Sequence, residues 1–154
     1  MKRNYLSPKV SVAELSHQTV SASQSTPETN DSAVPEIQVG WYAFAGGKFS
    51  PDPNAYPNCQ GVVCWVNPDK SAPQGQRGLV ITPDEVEMMW SDKDCETNIK
   101  DEYDGKGNTK ELIAYGKAHD IAFPAAEWCA QYSKNGVRPG EGFMPASEQL
   151  KRIV

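Results

Sequence analysis

Few residues in this chain can attack a substrate or move a proton near neutral pH. There are two histidines, and four cysteines at positions 59, 64, 95 and 129. A thiol enzyme needs its cysteine within hydrogen-bond reach of an imidazole, with a third group orienting the base. His17 lies in a Ser- and Thr-rich stretch, and His119 lies at the expected end of a helix, where its charged form suits the helix dipole. Cys129 and His119 are the pair to weigh, but no recognisable motif surrounds either one. Cys129 reads instead as a small core residue. No catalytic residue is assigned, and the chain reads as a non-enzyme.

Oxygen ligands are more plentiful. Asp92, Asp94, Glu96, Asp101, Glu102 and Asp104 fall in one stretch, and a calcium ion wants several oxygens from one flexible loop. Asp101 and Asp104 are the candidate ligands. The segment Asp101 to Asn108 nevertheless lacks the D-x-D-x-D-G pattern and its distal glutamate. A solvated turn fits better, with Gly105 and Gly107 at positive φ and with Asp104 and Asn108 bonding locally. Gly105-Lys106-Gly107-Asn108-Thr109-Lys110 also has the look of a phosphate loop, but the order of GxxxxGK[ST] is wrong and no strand precedes it. Nucleotide binding is rejected and no cofactor is expected. Cys59 and Cys64, spaced C-x4-C without a nearby His, are a poor zinc pair. In an oxidising compartment they are a candidate loop disulfide, and reduced half-buried thiols are the competing reading. Trp41, Trp65, Trp90 and Trp128 are expected in the core. Tyr56 and Tyr103, in loops, are the candidates for stacking on a ligand.

The elements that must position these residues occupy the later part of the chain. Residues 1–37 read as an unstructured tail, because Ser16 to Glu36 carries almost no large apolar side chain to offset the entropy of ordering. Within the tail, the alternation Lys9 to Ala13 has the form of an edge strand that could pair with a partner. Residues 38–154 read as one domain. Two short strands flank Gly46-Gly47, and Ser50 to Asn58 is a proline-broken loop. Gly61–Val66 and Gly78–Thr82 are apolar runs without alternation, which predicts strands buried on both faces. Thr82 followed by Pro83 and Glu85 predicts a capped helical turn. Ser91 to Asn108 reads as a loop. A helix is expected from Asn108 or Thr109 to about Ala118, with Leu112, Ile113 and Tyr115 inward. A second has Pro124 at its first position and an inner face of Ala125, Ala126, Cys129 and Tyr132, ended by Asn135-Gly136. A third has Pro145 at its first position, with Leu150, Ile153 and Val154 on its apolar face. A short amphipathic helix ending on apolar residues is expected to be completed by a partner or by further sequence.

Bulk properties exclude some function classes. The formal net charge is -5, with no cluster of Lys and Arg, which disfavours nucleic acid and anionic membrane surfaces. No apolar run approaches the roughly 20 residues of a membrane span. The basic start MKRNYLSPKV is not followed by the apolar stretch of a signal peptide.

The ordered succession YAFAGGKFSPD, GVVCWV, GLVIT, MMWS, YDGKGNTKELI, FPAAEWCAQYS and GFMPASEQL resembles the N-terminal half of the Lcl-type or FISUMP-type domain of bacterial surface and phage proteins, especially of Bacteroidetes. The matching segments are Gly61–Val66, Gly78–Thr82, Trp90, Asp104–Thr109, Phe123–Cys129 and Gly142–Leu150. The family's aromatic position before its LP motif reads Gly142-Phe143-Met144 here. The resemblance implies an α+β, C-type-lectin-like fold, with two to three helices packed on a small antiparallel sheet and incomplete at its C-terminus. It also implies a place at the cell surface or on a virion, in an adhesin, pilus component or receptor-binding protein, and a glycan or protein as ligand. The expected function is therefore non-catalytic ligand recognition. The rival is a structural subunit joined to a second copy, or to a completing partner chain, by strand addition. An enzyme of unknown type is the third reading; two titrating groups converging in one pocket would raise it.

Overall fold

The computed structural model describes residues 4–5, 12–14, 36–73 and 76–153. In chain order the strands are β1 (Asn4–Tyr5), β2 (Val12–Glu14), β3 (Tyr42–Phe44), β4 (Lys48–Ser50), β5 (Cys59–Val66), β6 (Gly78–Ile81) and β7 (Met88–Met89). The helices that follow are α1 (Gly105–His119), α2 (Pro124–Gln131) and α3 (Ser147–Ile153). This is an α+β arrangement. Strands β3 to β6 form an antiparallel sheet in the order β6-β5-β3-β4, and β2 adds to the β6 edge. β1 and β7 make a separate antiparallel pair.

Local chemistry accounts for most of these elements. β3 and β4 form a hairpin whose turn contains Gly46 and Gly47, both at positive φ. β5, the longest strand, lies between β3 and β6. Alternate residues of β6 face opposite sides. Val80 joins Ala43 and Val63, with Trp41 and Phe49 against them, whereas Leu79 joins Phe143 with Trp65 and Ile153. β6 is thus buried on both faces, as its composition predicts. β5 is not, since Val62 is 39% exposed.

The helices build a second core from Leu112, Phe123, Ala125, Ala126, Cys129 and Met144, with Trp90 and Trp128 packed on it. The four tryptophans are half-buried, each packed against one of these clusters. α2 starts at Pro124 and buries Ala125, Ala126 and Cys129, the expected face. It ends at Gln131; Asn135 and Gly136 form a positive-φ turn further on.

Several expectations are corrected. α1 begins at Gly105, three residues before the expected start, and neither Gly105 nor Gly107 has positive φ. Asp104 caps this helix by accepting from Gly107 N at 2.8 Å. Pro145 is not a first helical residue, because α3 starts at Ser147. In α3 the buried residue is Gln149, while Leu150 and Ile153 are half-buried. Val154 lies outside the described residues. No helical turn forms at Pro83, where the chain stays irregular until β7. Two pieces of the 1–37 stretch are strands, β1 and β2; Glu36 and Ile37 are irregular, and the rest of that expectation lies outside the described residues.

The proposed Cys59–Cys64 disulfide gives way to geometry. Both residues lie on β5, five positions apart, which at about 3.3 Å per residue separates their Cα atoms by roughly 16 Å. A disulfide needs less than about 7 Å. All four cysteines are thiols. The Cys64 Sγ donates to Leu79 O at 3.3 Å and the Cys59 Sγ to Gly61 O at 3.7 Å. Burial pushes the Cys64 thiol up to about 11 and the Cys129 thiol up to about 12. Iodoacetamide at pH 8 is therefore expected to modify Cys59 and Cys95 on the native protein well before Cys64 and Cys129. Peptide mapping over time checks this, and equal rates at all four positions would contradict it. Reductant should leave the melting curve unchanged.

Candidate ligand-binding cleft

The loop between β7 and α1 and the first turns of that helix enclose an open, polar cleft of about 340 Å³. Its walls include Asn98, Lys100, Asp101, Asp104, Asn108 and Glu111. Ile99, also in the wall, packs on the helical core and ties the loop to it. The structure thus brings Asp101 and Asp104 together, as the two candidate calcium ligands require. One oxygen of each, Oδ1, is however engaged with the chain's own backbone. Asp101 Oδ1 accepts from Tyr103 N at 2.8 Å and from Asp104 N at 3.0 Å. Asp104 Oδ1 caps α1 through Gly107 N. Asn108 holds both sides of Asp101, accepting from its N–H at 3.0 Å and donating to its carbonyl at 2.6 Å. These are the local bonds of a turn. Among the described residues no group of three or more His, Cys, Asp or Glu is placed to hold a metal ion.

Beneath the turn lies a buried polar network that the sequence did not announce. Gln149 Oε1 accepts from Gly105 N at 3.0 Å and from Ala146 N at 2.9 Å. Thr109 Oγ1 donates to Gly105 O at 2.7 Å and accepts from Met144 N at 3.0 Å. Glu148 N donates to Glu102 O at 2.9 Å. The YDGKGNT and GFMPASEQL segments are therefore one packed unit, and Gly105 is glycine because a Cβ there would stand 2.3 Å from Met144 O. The only sequence signals were a threonine inside one helix and a glutamine in another, and neither names its partner.

Tyr103 is 60% exposed on the same turn, and Tyr56 is 42% exposed. The Arg152 guanidinium lies 4.3 Å from the Trp65 ring and 5.9 Å from that of Tyr103, fixing the turn against α3. Tyr56 sits elsewhere, edge-on to Phe44 at 5.3 Å with Lys48 Nζ 4.8 Å above its ring. Neither tyrosine is among the residues lining the cleft; Tyr103 adjoins it, between the lining residues Asp101 and Asp104.

The chain matches no family model, no curated protein and no solved structure.

Two other groups of chemistry-bearing residues are accounted for structurally. His119 is exposed at the end of α1, stacked on Tyr115 with ring centroids 3.9 Å apart and its Nδ1 2.9 Å from Tyr115 O. Cys129 is 0% exposed within the helical core. Asp84, Tyr132 and Lys134 do converge, at a point the sequence does not reveal. The Tyr132 hydroxyl donates to Asp84 Oδ2 at 2.5 Å and Lys134 Nζ lies 3.2 Å from Asp84 Oδ1. Burial, then the bond to the Asp84 carboxylate, pushes the Tyr132 phenol up to about 12. The Tyr132 bond, with Lys134 adding, holds the Asp84 carboxyl below its ordinary value. Both shifts lead away from neutrality, so this cluster locks the segment after β6 onto the end of α2.

The sign of the pH effect follows. A phenol whose folded value is raised contributes stability that is complete below about pH 10 and is lost as the pH climbs through about 12. The depressed Asp84 carboxyl contributes stability above the ordinary carboxylate range, lost as the pH falls through its folded value. Chemical denaturation from pH 9 to 12 should show the native chain losing more stability than the Tyr132→Phe variant. Parallel curves would show that the hydroxyl carries no such linkage.

Proposed function

We infer that this protein is a non-catalytic recognition domain that binds a glycan through the cleft between the β7–α1 loop and α1. The carrying observation is an open polar cleft bordered by a turn that also carries an exposed aromatic ring, Tyr103, which stands beside the cleft and outside its lining. Amides, carboxylates and a lysine offer donors and acceptors to sugar hydroxyls, while an aromatic face covers the apolar side of a sugar ring. The turn is fixed from below by the Gln149 and Thr109 bonds, so it presents these groups with little ordering cost on binding.

The C-type-lectin-like identity implied by the resemblance belongs to the same reading, as does a place at a cell surface or on a virion. An antiparallel sheet with α3 packed on β5 belongs to the α+β class in which that fold falls. The motif order supports it too, because the matching segments from Asp104–Thr109 and Gly142–Leu150 are those that pack together here.

The test is binding of the full chain to an array of immobilised oligosaccharides, with calcium and with chelator. Binding to a related set of sugars is expected, weakened about tenfold or more in Tyr103→Ala, where one stacked ring is worth ~1.4 kcal/mol or more. An unchanged melting temperature for that variant would show that the turn still forms. Silence across the array, or binding indifferent to Tyr103→Ala and Glu111→Ala, would remove the cleft from consideration.

A further inference from the structure

The turn after α2 has a chemistry that binding does not use. Val137 N donates to Lys134 O at 3.0 Å, and between them Asn135 has φ 53 and Gly136 has φ 83. Positive φ at both central residues marks a type I′ turn. Both central residues are exposed. Among the described residues the Gly136 N–H has no hydrogen-bond partner.

An asparagine side-chain amide is open to attack by the backbone nitrogen of the next residue, most of all when that residue is glycine and no side chain bars the way. The five-membered ring that results holds the asparagine ψ close to that of the first central residue of a type II′ turn. Types I′ and II′ have the same φ at that residue and differ by a flip of the peptide between the two central residues. Here the flip keeps the Lys134–Val137 bond and gives up no bond of Gly136 N. It asks Gly136 for a negative φ, which glycine adopts as readily as a positive one. The turn is therefore one peptide rotation away from the geometry of ring closure.

The sequence holds a second pair of this kind, Asp104-Gly105, and the structure locks it. Gly105 is buried, its N–H donates to Gln149 Oε1 at 3.0 Å, and Asp104 Oδ1 is held by Gly107 N.

We propose that Asn135 is a self-modification site, which in the folded protein converts through a succinimide to a mixture of aspartyl and isoaspartyl linkages. Gly136 N loses its proton to hydroxide and bonds to Asn135 Cγ; the Cγ–Nδ2 bond breaks and the side-chain nitrogen leaves as ammonia, protonated by solvent. Water then opens the ring. Addition at Cγ releases Gly136 N and leaves an aspartate at position 135, whereas addition at the main-chain carbonyl carbon leaves Gly136 bonded through the side chain. No oxidant or reductant is needed. The aspartyl product keeps the backbone length, and aspartate tolerates the left-handed conformation. The isoaspartyl product adds a backbone carbon to a turn whose next residue, Val137, is buried, and whose Gly136 packs so closely that a Cβ on it would stand 2.6 Å from Ala45 Cβ. Either product puts a new carboxylate one residue from Lys134, whose Nζ lies 3.2 Å from Asp84 Oδ1.

The test incubates the full native chain at pH 8 beside the same chain unfolded in guanidinium, with peptide mapping over time. Position 135 of the native chain should deamidate within about tenfold of the unfolded rate, because exposed turns open at little cost. Isoaspartate at that position should accompany the aspartate, and none should form at position 104 until the chain is unfolded. In Asn135→Gln the longer side chain cannot close the five-membered ring, so ammonia release from this peptide should be lost. A native rate slower than the tenfold limit overturns the proposal, as does isoaspartate forming at position 104 as fast as at 135 in the folded chain. So does deamidation of this peptide that persists undiminished in Asn135→Gln.

Discussion

Replacing Gln149 by alanine is expected to destabilise the protein by about 2–5 kcal/mol, one of the two largest effects foreseen here, because each buried donor left without a partner costs roughly 1–3 kcal/mol. Gln149 Oε1 is the shared acceptor for the N–H groups of Gly105 and Ala146. Gly105 is the first residue of α1, where backbone N–H groups have no partner inside the helix, and it is buried. The backbone is close on the other side of Gly105, where a Cβ would meet Met144 O at 2.3 Å, so the helix start has little freedom to turn its N–H to another acceptor. Gln149→Glu keeps the acceptor and places a negative charge at a helix N-terminus, which favours anions. It should therefore lose less stability than Gln149→Ala. Denaturant melts of the native chain and both variants check the order. Equal losses would mean that the side chain acts by volume and not by its oxygen.

That network explains which parts of the architecture could be read from the residues alone. The β3–β4 hairpin was legible because Gly46-Gly47 solves its turn locally. α2 was legible because Pro124 marks its start and the spacing of Ala125, Ala126 and Cys129 marks its face. The start of α1 was not. Gly105 and Gly107 read as turn residues by propensity, yet they are helical, and Gly105 is small because α1 must approach residues 144–149 closely. The turn expected at Pro83 fails for a similar reason, since Asp84 is drawn to Tyr132 and Lys134 far along the chain. β7 could not be foreseen because its partner, β1, lies in a stretch whose composition gives no sign of pairing.

The cleft was half legible. Asp101 and Asp104 were singled out by residue type, as was Tyr103 beside them, and the local character of the bonds followed from the Asp and Asn spacing. Asn98, Lys100 and Glu111 were not, because they join the site only once the loop folds back over the first turns of α1. The packing that fixes this turn depends on contacts from α3, through Gln149 and Arg152, which no local pattern encodes.

Gly61→Ala is the second large effect, expected at about 3 kcal/mol or more, at or beyond the upper end for overpacking. Gly61 is buried in β5 opposite Ala43 of β3. A Cβ there would lie 2.0 Å from Ile81 O, 2.7 Å from Ile81 C and 3.1 Å from Thr82 Cα. All three are backbone atoms, so no side-chain rotation relieves the overlap. β5 and β6 must separate locally instead, and the neighbouring Val62–Ile81 and Val63–Val80 pairs are strained with them. Val63 and Val80 belong to the core cluster of one sheet face, so that packing loosens too. Val62→Thr, one residue away on the same strand, is the matched control. Its side chain is exposed and both residues are β-branched, so a change within about 0.5 kcal/mol is expected. Urea titrations of the two variants and the native chain make the comparison. A small loss for Gly61→Ala would mean that β5 and β6 lie further apart at this point than the 2.0 Å approach requires.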